Sequence, residues 1–125
     1  MKLKIFLAED DPGIRTLTKF ILEKEGFELT VAEDGQKAWD ALQNVVPDII
    51  MCDVQMPHMD GFTLMKKING DSRFNNTIKV FLTSMREREN IQQGLSLNVH
   101  DYITKPFSPG ELRQRLQTLI DARKK

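Results

Sequence analysis

A chain of 125 residues has the usual size for one domain, and residues 1–125 read as a single domain able to bury its apolar surface around one core. With 40% hydrophobic and 29% charged residues the composition is that of a globular protein, and no apolar run is long enough to cross a bilayer. Eighteen Lys and Arg balance eighteen Asp and Glu, so no global charge attracts nucleic acid or an anionic membrane.

The N-terminus, "MKLKIFLAEDD", breaks its short apolar run with acids and does not read as a signal peptide, which makes the cytoplasm the expected location. "LKIFLA" (3–8) is nearly continuous in apolar residues, as strands covered on both faces are. It runs into Glu9, Asp10 and Asp11. Asp11 followed by Pro12 signals a helix start, Ile14, Leu17 and Ile21 supply an apolar stripe, and Gly26 closes the helix. "ELTVA" (28–32) is a second strand, with a weaker helical pattern over 35–44. "DIIMCD" (48–53) is a third, again continuous; it carries the single cysteine, Cys52, as a small core residue. This most hydrophobic strand ends on a carboxylate, Asp53, and "VQMPHMDG" leads into a helical pattern over 62–69. "IKVFLTS" (78–84) ends on Thr83 and Ser84 and is followed by a helical pattern over 87–97. "DYITK" (101–105) ends on Lys105. In "SPGE", Ser108 is placed to cap a last helix, Pro109 to fill its first turn and Glu111 to complete a capping box, with Leu112, Leu116, Leu119 and Ile120 facing inward.

Strand and helix thus alternate five times. Such alternation implies right-handed crossovers, a parallel sheet and helices on both faces, with the ligand crevice at the C-terminal ends of the strands. The strand tips then bring Glu9, Asp10 and Asp11 to one rim with Asp53, Thr83, Ser84 and Lys105. Carboxylates a few ångströms apart repel by about 4 kcal/mol per close pair at intermediate dielectric, so the group calls for a cation. Mg²⁺ suits such oxygen donors and leaves room for a phosphate oxygen, which Lys105 and the Thr83 hydroxyl also suit. The set describes phosphoryl chemistry with Asp53 as the candidate nucleophile.

These residues carry a family resemblance. "LAEDDPGIR", "DVQMPHMDG", "FLTS" and "DYITKPF", in this order, closely resemble the acidic-pair, phosphoacceptor, threonine and aromatic-lysine-proline motifs of two-component response regulator receiver domains, and the likeness covers nearly the whole chain. The resemblance implies an α/β, doubly wound, five-stranded parallel sheet of flavodoxin-like order 2-1-3-4-5. It implies phosphorylation of Asp53 by a phosphohistidine of a sensor histidine kinase or histidine phosphotransfer protein. Glu9, Asp10, Asp53 and the backbone carbonyl of Gln55 would hold Mg²⁺, and Asp11 would fall outside the acidic pair. Thr83, Ser84 and Lys105 would meet the phosphate, and Tyr102 would turn from exposed to buried as Thr83 moves. The chain would be a signalling protein rather than an enzyme, although it would promote its own Mg²⁺-dependent phosphorylation and dephosphorylation.

Output is expected at the face of the 87–97 helix, the fifth strand and the last helix (residues 87–122), toward a partner protein or domain, without direct contact to nucleic acid or membrane. Asp101, Glu111 and Arg115 match dimer-forming ion pairs, but Glu87 and Ile91 stand where basic partners would be, so a monomer is expected before phosphorylation. His58 and His100 read as surface residues, and Pro57 and Gly61 as loop formers. Asn98 stands where relatives often have glycine, and Gln55 and Met85 at positions that influence phosphoryl lifetime. A flavodoxin-like electron carrier is disfavoured by the acidic "EDDPG" tip, and an aspartyl phosphatase by Gln55 standing two residues after Asp53. The alternative is a docking module whose phosphorylation is not the main signal. A stand-alone receiver and a piece of a longer regulator or hybrid kinase both fit the sequence.

Overall fold

The computed structural model describes residues 2–84 and 99–123. Along the chain run β1 (Lys4–Ala8), α1 (Pro12–Lys24), β2 (Glu28–Ala32), α2 (Gly35–Leu42), β3 (Ile49–Asp53), α3 (Gly61–Asn69), a 3₁₀ turn (Ser72–Phe74), β4 (Ile78–Ser84), β5 (Asp101–Lys105) and the C-terminal helix α4 (Pro109–Arg123). The helix expected over 87–97, together with Met85, Glu87, Ile91 and Asn98, lies outside the described residues.

All strand pairs are parallel and the order is β2-β1-β3-β4-β5, the flavodoxin-like arrangement that the resemblance implied. Because both faces of the sheet are covered, every residue of β3 is buried, which is why that strand reads as an unbroken apolar run. One face packs Ile5, Leu7, Met51 and Val80 against Ile21 and Leu22 of α1 and Leu112, Leu116 and Ile120 of α4. The other packs Phe6, Ile50, Cys52 and Phe81 against Ala38 and Leu42 of α2 and Leu64, Met65 and Ile68 of α3. Cys52 is fully buried there, its thiol donating to the Asp53 carbonyl at 3.3 Å.

Three helices begin with one device, an aspartate whose carboxylate accepts a main-chain N–H three residues on: Asp11 from Ile14 at 3.0 Å, Asp34 from Lys37 at 2.8 Å and Asp60 from Thr63 at 2.8 Å. Two expectations need correction. Leu17 is not part of the inward stripe of α1; it is 57% exposed, and the buried position next to it is Thr18. Helical periodicity places 14, 18, 21 and 22 on one face, and Leu17 lies just outside its edge, a full residue step of about 100° from Thr18. At α4, Ser108 Oγ accepts the Glu111 N–H at 3.0 Å, so the cap forms, but the Glu111 carboxylate turns to Arg115 at 3.7 Å instead of closing the box.

Candidate functional site

The register of the sheet decides what meets at its C-terminal edge. Ala8 lies beside Cys52, Asp53 beside Leu82, and Ser84 beside Lys105, so the residues that follow or end these strands share one rim. One carboxylate oxygen from each of Glu9, Asp10 and Asp53 lies within 4.8 Å of the others. Glu9 is fully buried and Asp53 is 3% exposed, whereas Asp10 faces solvent. From the far edge of the sheet the Lys105 ammonium reaches 2.7 Å from Asp53 Oδ2 and 3.1 Å from Glu9 Oε1. Asp53 Oδ1 accepts the Gln55 N–H at 3.2 Å.

One lysine does not balance this much negative charge. Burial, together with the hydrogen bond and charge of Asp53, pushes the Glu9 carboxyl up to about 8, against the smaller opposing pull of Lys105. Burial also works against the Lys105 charge, but Asp53 and Glu9 outweigh it and the ammonium is held above its ordinary range. A pocket that drives a glutamate to keep its proton near neutrality, and that presents three hard oxygen donors, fits a divalent cation of the Mg²⁺ type.

The wall of the site is built by close backbone approach. A Cβ on Gly61 would overlap the Asp53 carbonyl, and one on Gly35 would overlap the Met59 carbonyl, so both glycines let helix N-termini press on the loop after β3. Gly61 N–H donates to the Val54 carbonyl at 2.8 Å, which ties the loop back to the strand end. Within it, Met59 N–H bonds the Pro57 carbonyl at 2.8 Å around exposed His58, whose φ is +70°.

Thr83 is 1% exposed and half-buried Ser84 follows it; the Thr83 hydroxyl donates to the Ser84 carbonyl at 3.3 Å. Tyr102 is half-buried. Its ring packs 5.5 Å from that of Phe81, and its hydroxyl is buried with no hydrogen-bond partner among the described residues. The aromatic pair Phe81 and Phe62, with centroids 5.3 Å apart, continues this cluster and gives the tyrosine ring an apolar seat already filled. His100 is exposed, yet it is fastened to β4: its Nδ1 accepts the Lys79 N–H at 3.0 Å and its own N–H donates to the Lys79 carbonyl at 2.8 Å. Asp101 and Glu111 both pair with Arg115 within the chain, at 3.0 and 3.7 Å.

Two features of the site had not been read from the sequence. Asp34 and Asp60 cap the helices carrying Gly35 and Gly61, and the signal was available in the Asp-Gly pairs. Arg15 bonds the main chain of the acidic loop, donating from Nη1 to the carbonyls of Glu9 at 3.0 Å and Asp10 at 3.4 Å. Its signal was a cation in the first turn of a helix, where the dipole disfavours one.

A doubly wound sheet with an acidic crevice at its carboxyl edge and a lysine bridging two of the acids defines the receiver class of signalling domains. The chain belongs to the response regulator receiver domain family, whose model matches residues 5–117. It is 32% identical over 119 residues to response regulator Rre1 of Synechocystis, covering 94% of this chain and 52% of that one. It is 36% identical over 120 residues to the phosphate regulon transcriptional regulatory protein PhoB of Escherichia coli, covering 96% and 52%. The chain thus spans about half the length of these curated relatives. Among solved structures it is similar to the chemotaxis response regulator CheY4 of Vibrio cholerae, with a TM-score of 0.88, 30% identity and coverage of 94% and 98%. It is also similar to the receiver domain of a Pseudomonas aeruginosa sensor histidine kinase that holds a magnesium ion in its active-site cleft, with a TM-score of 0.86, 26% identity and coverage of 94% and 97%. Among the described residues, no helix is long and apolar enough to cross a membrane.

Proposed function

We propose that this chain is a phosphoacceptor switch: with Mg²⁺ held by Glu9, Asp10, Asp53 and the Gln55 carbonyl, Asp53 takes a phosphoryl group from a phosphohistidine of a sensor histidine kinase or histidine phosphotransfer protein. The observation that carries this is the 2.7 Å bond from Lys105 to Asp53 inside the cluster of three carboxylates. In the transfer an Asp53 oxygen forms the new P–O bond as the P–N bond of the donor breaks, and the imidazole keeps the electron pair. The cation supplies charge neutralisation at the phosphoryl oxygens. The chain's own part is rigid delivery of Asp53 from a fully buried strand, orientation of its two oxygens by Lys105 and Gln55, and a second positive charge for the incoming group.

Once phosphate is present, Thr83 and Ser84 at the tip of β4 are the nearest hydroxyls able to follow its oxygens. Because the Tyr102 ring is already seated beside Phe81, phosphorylation would fix an inward ring more firmly instead of drawing in an exposed one. Output then passes through the face bearing β5 and α4, within residues 87–122, to a partner protein or domain in the cytoplasm. The unphosphorylated chain is a monomer: Asp101 and Glu111 use Arg115 internally and offer it less to a second copy.

Incubation with acetyl phosphate tests the proposal. Intact-mass measurement should show one added phosphate with Mg²⁺ and none with a chelator. Equal labelling in both would contradict the role of the cation, and none in either would contradict phosphoacceptance.

A further inference from the structure

Arg15 stands beside the acidic loop and pairs with none of its carboxylates. Among the described residues it has no ion pair; its hydrogen bonds go from Nη1 to two main-chain carbonyls, those of Glu9 at 3.0 Å and Asp10 at 3.4 Å. The position is unfavourable on local grounds. Arg15 is the fourth residue of α1, in a first turn that contains no acid, and a cation there opposes the helix dipole. Lys37 and, more weakly, Arg15 hold the Glu33 carboxyl below its ordinary range, but both hydrogen bonds of Arg15 go to the main chain of the acidic loop.

Resting on the cation site proposed above, we infer that Arg15 is a positioning residue for the divalent cation, clamping the Glu9–Asp10 main chain so that both carboxylates face Asp53. Lys105 holds the Glu9 carboxylate at 3.1 Å and Asp11 is tied to α1 by its cap on Ile14 at 3.0 Å, but the main chain between them has few other restraints. Glu9 N–H continues the β1–β2 ladder to the Ala32 carbonyl at 3.1 Å, and Asp11 N–H rests on the Glu9 carboxylate at 3.3 Å, a bond that metal ligation would compete for. Arg15 holds the loop from its carbonyl side, leaving all three carboxylates available as ligands. It acts as the outer partners of metal ligands do, fixing direction without touching the ion.

Charge and position predict opposite signs. Removing a nearby positive charge should by itself tighten Mg²⁺ binding, whereas losing the clamp should weaken it. Mg²⁺ affinity is read from amide shifts of the wild type, Arg15→Ala and Arg15→Lys, with thermal unfolding followed in parallel. We expect Arg15→Ala to weaken Mg²⁺ roughly tenfold. Arg15→Lys, which keeps the charge and one donor group, should recover most of that loss. Tighter or unchanged binding in Arg15→Ala would overturn the inference. Should Arg15→Ala unfold, Arg15→Met, which keeps the side-chain stem and loses the donors, decides: binding roughly tenfold weaker than wild type supports the clamp, and tighter or unchanged affinity overturns it. Absence of Mg²⁺ binding in the wild type would instead strike the proposed cation site itself.

Discussion

Lys105 and Asp53 stand 52 residues apart in sequence and 2.7 Å apart in the fold, at the ends of strands separated by β4. Lys105 is one reason a charge can end the most buried strand: it offsets the Asp53 carboxylate, and the strand holds that carboxylate rigidly. The pairing is nevertheless incomplete, because Glu9 shares the same lysine at 3.1 Å.

The raised Glu9 carboxyl sets a pH dependence. Unfolded, it loses its proton near 4.5; folded without metal, near 8. Between those values the native state holds the extra proton, so the Glu9 contribution to stability is full below 4.5 and is lost as pH rises toward 8. Lys105, with its pKa raised from 10.5, loses its contribution only above this window. Urea denaturation of the metal-free protein should therefore show stability declining over that range, with the decline largely absent in Glu9→Gln. Mg²⁺ should bind more tightly as pH rises through the same range. An identical slope in Glu9→Gln would assign the proton elsewhere.

Gly61→Ala should cost about 2 kcal/mol or more, since the new Cβ overlaps the Asp53 carbonyl and the loop can yield only by moving the acceptor strand end. Chemical denaturation measures the cost, and a change below about 0.5 kcal/mol would mean that the close approach is not required.

Much of this site was legible because strand ends are legible. Glu9, Asp53, Thr83 and Lys105 each close an apolar run, and parallel topology alone brings them to one rim. Leu17 misled because an apolar residue at helical spacing looks inward wherever the spacing nearly fits, while the buried residue was the polar Thr18. Arg15 and the seating of Tyr102 depend on main-chain carbonyls and on a neighbouring ring, which leave little trace in residue type.

Tyr102→Phe should leave stability unchanged or raise it by about 1 kcal/mol, because the hydroxyl is buried without a hydrogen bond among the described residues. Denaturation midpoints decide it. A loss of more than about 1 kcal/mol would show that the hydroxyl has a partner of consequence.

His58→Gly should stabilise the fold by about 0.5–1 kcal/mol. His58 has φ +70° at the centre of a three-residue turn, where a side chain costs about 1–2 kcal/mol, partly offset by the greater freedom of unfolded glycine. Thermal unfolding would reveal it, and a lower midpoint would indicate that the imidazole itself makes a stabilising contact.

The most direct test of phosphoacceptance locates the modified atom. After phosphorylation with acetyl phosphate and Mg²⁺, borohydride reduction converts an aspartyl phosphate to homoserine, which peptide mass spectrometry assigns to one residue. The proposed function predicts homoserine at position 53 and no labelling of Asp53→Asn, whereas homoserine at Asp10, Asp11 or Asp60, or wild-type labelling of Asp53→Asn, would contradict it.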